Sequence, residues 1–77
     1  MDFVAILDDA MYKGQELIIT TKGRGQIIGV PHMVDYFDTD DERFGYVITL
    51  REPVGIFTVD TVFIDEIAHI EIIKEDA

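Results

Sequence analysis

The chain has 77 residues, 48% of them hydrophobic, with 16 acidic and 6 basic side chains and a formal net charge of -10 at pH 7. That length makes one domain, residues 1–77, apolar enough for a core. With no cysteine and no serine, disulfides, thiolate metal sites and serine or cysteine nucleophiles are excluded, and the charge opposes phosphate backbones and anionic membranes.

The same acidity keeps a small protein soluble and draws basic proteins or cations toward it. The first residues lack the basic and long apolar regions of a signal peptide, and no apolar run approaches the roughly 20 residues of a membrane helix. A cytoplasmic protein without a membrane partner is therefore expected.

Residues 2–13 read as a short helix. Asp2 is placed as N-cap, Phe3, Ile6, Leu7, Ala10 and Met11 form one apolar face, and Gly14 follows as a stop. Asp8 and Asp9 are expected to face water. A helix of this length is marginal alone and must dock. Three readings stay open: docking on an end or face of the remaining chain, docking in a partner's groove, or an N-terminal strand from Phe3 to Leu7.

Residues 16–22 read as a strand in which Leu17 and Ile19 alternate with Glu16, Ile18 and Thr20. Lys22-Gly23-Arg24-Gly25 is a turn. Residues 26–37 read as a long, bent strand. Ile28 and Val30 share a face there, with Val34 and Tyr36 if the register holds, and Pro31 marks an edge or a bulge. Residues 38–43 are an acidic loop. In 44–50, Phe44, Tyr46, Ile48 and Leu50 alternate with Gly45, Val47 and Thr49. A turn carrying Pro53 and Gly55 is expected over 51–55, then a strand over 56–63 kinked at Asp60. One 3₁₀ turn over Ile64–Ile67 puts Ile64 and Ile67 on the same side, and a last strand carries Ile70 and Ile72. The predicted class is mainly all-β, a five-stranded small barrel over 16–73 with a short N-terminal helix.

Helix, strand, bent strand, strand, strand, 3₁₀ turn, strand is an order that resembles Sm-like barrels. The ending Phe63-Ile64-Asp65-Glu66-Ile67-Ala68-His69-Ile70-Glu71 is similar to the close of YolD-like and other SH3-like bacterial domains. An Sm-like resemblance implies homo-oligomers built by pairing of edge strands, and often RNA binding through an Asp and an Asn in one loop and an Arg-Gly or Lys-Gly in a later one. This chain has no Asn, and its Lys22-Gly23 and Arg24-Gly25 fall in the first hairpin. That departure argues against nucleic acid as the partner.

Five carboxylates, Asp35, Asp38, Asp40, Asp41 and Glu42, fall within eight residues. Asp38, Asp40 and Glu42 are spaced as oxygen ligands for a hard cation. The calcium-loop template fails at Arg43, where glycine is required, and at Thr49, where a bidentate Glu is required. A solvated loop is the plainer reading. His32 and His69 lack metal-ligand spacing and are expected at the surface. Gly23–Gly29 lies between strands, with no helix N-terminus to hold a phosphate.

Tyr36 and Phe37 beside Asp38, Asp40, Asp41 and Glu42 make a candidate protein-binding patch; Phe44 and Tyr46 flank the same loop, and about half of these aromatics are expected in the core. The function expected is non-catalytic, without a cofactor: an acidic barrel acting through contacts with a basic protein or with its own copies. An Sm-like RNA binder and a divalent-cation module are the alternatives.

Overall fold

The computed structural model describes residues 2–36 and 44–74. Helix α1 (Phe3–Lys13) precedes strands β1 (Leu17–Thr21), β2 (Gln26–Tyr36), β3 (Phe44–Val54) and β4 (Phe57–Phe63), a 3₁₀ turn (Ile64–Glu66) and β5 (Ile67–Ile72). All five strands join one antiparallel sheet in the order β4-β3-β2-β1-β5. The class is mainly β with a short N-terminal helix, as the sequence predicts.

The helix begins where Asp2 accepts a hydrogen bond from the Ala5 N–H at 3.1 Å and ends at Gly14 in the left-handed region. Leu7 and Ala10 are buried against the sheet, with Phe3, Ile6 and Met11 packed around them. The docking reading therefore holds, and the N-terminal strand and the partner's groove fall. Asp8 and Asp9 are exposed, as expected, but Asp8 also has a partner. It accepts a hydrogen bond from the Tyr46 hydroxyl at 2.5 Å and so ties the helix to β3.

The core is Leu7 and Ala10 from the helix with Leu17, Ile19, Ile27, Tyr46, Ile48, Val62, Ile67 and Ile70 from the strands. Two bulges decide which side chains reach it. On β2 the pairing shifts between Pro31 and Met33, leaving His32 as an extra residue. A one-residue slip moves later side chains to the opposite face. Thus Ile27, Gly29 and Pro31 point inward before the bulge and Val34 after it. The shared face of Ile28 and Val30 expected from the sequence is the outer one. On β5 the shift against Thr20 and Thr21 leaves Ala68 unmatched, so Ile67 and Ile70, three apart, are both buried. The 3₁₀ turn brings Ile64 against the core beside Ile67, as predicted.

Gly29 is needed for close approach. A Cβ there would stand 2.1 Å from the Thr49 carbonyl oxygen and 2.8 Å from an Ile48 methyl. Backbone cannot yield as a flexible side chain does, so Gly29→Ala is expected to cost about 3 kcal/mol, the upper range of overpacking. For a domain of this size each kcal/mol lowers Tm by about 4–8 °C. Gly23→Ala, with nothing within 4 Å of its Cβ position, should stay within about 0.5 kcal/mol. Thermal unfolding of the two variants makes the comparison.

Candidate functional site

Of the predicted patch and cation ligands, Phe37, Asp38, Asp40, Asp41 and Glu42 lie outside the described residues, and Tyr36 is the last residue of β2. Of the neighbouring aromatics, Tyr46 is core and Phe44 packs partly buried beside it, with ring centroids 6.4 Å apart. His32 and His69 are exposed, as expected. Among the described residues no three His, Cys, Asp or Glu side chains gather as metal ligands, and no helix is long and apolar enough to cross a membrane.

The largest feature the sequence reading missed is the end of the β3–β4 hairpin. Of the turn expected over 51–55, residues 51–54 are strand instead and Gly55 is turn. β3 runs on to Val54, which faces Phe57 across a two-residue turn, Gly55-Ile56, with Gly55 at φ +61°. Primed two-residue turns require positive φ at their first central residue. The irregularity expected at Asp60 is on the other strand: Asp60 pairs regularly with Ile48, and the register breaks between Thr49 and Val54. Four residues, Leu50–Pro53, face only Thr58 there. Pro53 sits in this unpaired stretch, where its missing N–H costs no ladder bond.

The extra length bends the hairpin end away from the core. Ile56 is 90% exposed, Val54 68%, Phe57 65% and Val59 45%. Two hollows, of about 380 and 310 Å³, lie against this end and share Leu50, Val54 and Asp60. The first is completed by Ile28, Arg24, Arg51 and Glu52 among others, the second by Phe57 and Val59. Together they form an open channel, apolar along Val54, Phe57 and Val59 and charged along Arg24, Arg51, Glu52 and Asp60. A sequence signal existed: Val54, Ile56, Phe57 and Val59 crowd a turn, a place where apolar side chains have little to pack against.

The two arginines at the rim are already engaged. Arg24, from the β1–β2 turn, donates from Nε to Glu66 (2.8 Å), from Nη1 to Asp60 (3.0 Å) and from Nη2 to the Thr61 carbonyl (3.0 Å), and its Nη2 also lies 2.7 Å from the Glu66 carboxylate as an ion pair. The turn itself is held by Thr21, whose hydroxyl donates to the Gly25 carbonyl and accepts from the Arg24 N–H, both at 2.8 Å. Partial desolvation of the guanidinium favours loss of its charge, but Glu66 and Asp60 outweigh it and raise the pKa above the ordinary value. Arg51 pairs with Glu16 at the start of β1. Glu66 also accepts from the Phe63 N–H at 3.2 Å.

Replacing Arg24 by Met should cost about 1 kcal/mol, the scale for an exposed but networked ion pair, and Arg24→Lys should recover less than half, because an ammonium lacks the planar fork that reaches two carboxylates and a carbonyl. Chemical denaturation measures both. The hydrogen bond and charge of Arg51 hold the Glu16 pKa below 4.5, against a smaller opposing effect of desolvation. Stability from that pair is present above pH 4.5 and is lost as pH falls through the lower folded value. Arg51→Gln should therefore be less stable than the natural chain at pH 7, with the gap closing below pH 4.5. No family model matches the chain, and neither the curated proteins nor the solved structures compared with it yield a significant match.

Proposed function

We propose that this protein is a non-catalytic binding module that holds a protein partner against the bent end of its β3–β4 hairpin. The observation that carries the reading is the clustering of Val54, Ile56, Phe57 and Val59 in solvent at one end of a small sheet. Scattered exposed apolar residues are ordinary, but a contiguous group rimmed by charge is characteristic of an interaction surface. The composition supports it from another side, since a chain without serine or cysteine has few nucleophiles. Strand order and the 3₁₀ link before the last strand support a barrel of Sm- or SH3-like type. In this reading it acts in the cytoplasm as an accessory or regulatory protein.

Charge selects among partners. At -10 the chain repels phosphate backbones and attracts basic proteins. Arg24 and Arg51, cations that border the channel, are bound by carboxylates of the same chain. RNA binding would have to break those pairs, so the protein reading is preferred.

A photoreactive phenylalanine analogue at position 56 should cross-link a specific protein in cells. Ile56→Asp with Phe57→Asp should weaken that partner's binding at least tenfold, the effect of removing an interface anchor, while Tm changes little because both side chains are exposed. An unchanged affinity in the double variant, or no cross-linked protein, would overturn the reading.

A further inference from the structure

The binding reading leaves open what enters the channel and how. We propose that the occupant is an extended segment of a partner protein bearing lysine or arginine beside apolar residues, which adds to the sheet as a sixth strand along Phe57–Asp60 of β4. This inference rests on the function proposed above.

The edges of the sheet carry the argument. Among the described strands, only β4 and β5 have a single neighbour. An edge offers main-chain donors and acceptors to another chain unless bulges, charges or covering groups blunt it. β5 is blunted by its bulge at Ala68 and by Glu71, with Lys74 just beyond it. β4 is covered over one half only: the Arg24 guanidinium occupies the Thr61 carbonyl, and Glu66 takes the Phe63 N–H. The half from Phe57 to Asp60 has no such cover among the described residues. Its four residues extend about 13 Å at the usual strand rise, room for a short added strand.

The same half borders the channel. In an added strand, alternate side chains point to opposite faces. One set would lie against Phe57, Val59, Val54 and Leu50, which wall the second hollow. The other set would meet the charged rim. There Arg24 and Arg51 are neutralised by Asp60, Glu66 and Glu16, whereas Glu52 makes no ion pair among the described residues. The rim thus has carboxylate to spare and no cation to spare. A basic segment complements it; a second copy would bring one chain of charge -10 against another.

The test uses the isotopically labelled full chain and an acetylated, amidated peptide alternating Lys and Val, at low ionic strength. The expected result is saturable chemical-shift change at Val54–Asp60, slowed amide exchange in Phe57–Asp60, and at least tenfold weaker binding both for the peptide with Glu in place of Lys and for Phe57→Asp. Shifts without amide protection would mean side-chain docking alone and would overturn strand addition. Shifts spread over other acidic surfaces, equal affinity in Phe57→Asp, or no binding would overturn it too. A doubled mass for the protein alone, abolished by Phe57→Asp, would assign the channel to a second copy instead. If the peptide fails while the partner cross-linked from position 56 still depends on Phe57, the binding module stands and strand addition falls; if both fail, both are lost.

Discussion

Between the Thr49–Val59 pair and the Val54–Phe57 pair, β3 carries four residues and β4 carries one. No regular ladder spans that mismatch, so the longer strand must leave the plane of the sheet. Below the break, alternation delivers Tyr46 and Ile48 to the core; above it, every residue from Arg51 to Val59 is exposed. One irregularity in strand length therefore separates a packed body from an apolar end with nothing in the described chain covering it.

The body can tolerate this because its remaining constraints are tight. Gly29 lets β2 and β3 approach until the Thr49 carbonyl fills the space of a side chain, directly before the break. Tyr46, almost wholly buried, joins core and helix through Asp8. On the far side Arg24 fastens the first turn to β4 and to the 3₁₀ turn. Its contacts also shield the adjoining half of the β4 edge, so a device that steadies the fold limits where another strand can attach.

Much of the body was legible in the residues. Asp2 and Gly14 bounded the helix, Leu17 and Ile19 showed their inward face by alternation, and Ile64 with Ile67 revealed the 3₁₀ turn by their spacing. Pro31 marked the bulge that follows it, but alternation showed neither the inward set around it nor the bulge at Ala68: an extra residue reverses the inward set beyond it, and Ile28 looks as good a core residue as Ile27. Gly55 marked the turn, but Pro53 misled for a physical reason. It is a turn former, yet it lies in a stretch of strand that needs no N–H donor, and the turn falls two residues later. Placing the turn at 51–55 made Ile56 a strand residue rather than the tip of the turn and hid the apolar end. The acidic run at 38–42 is more conspicuous in the sequence, but such charges are equally at home in a plain solvated loop.

The central claim is the register of the β3–β4 hairpin, and cross-strand nuclear Overhauser effects between backbone protons test it most directly. The account predicts contacts of Thr49 with Val59 and of Val54 with Phe57, and no Leu50–Thr58 or Arg51–Phe57 ladder between them. A continuous ladder pairing Leu50 with Thr58 and Arg51 with Phe57, closed by a wider turn over 52–56, would contradict it.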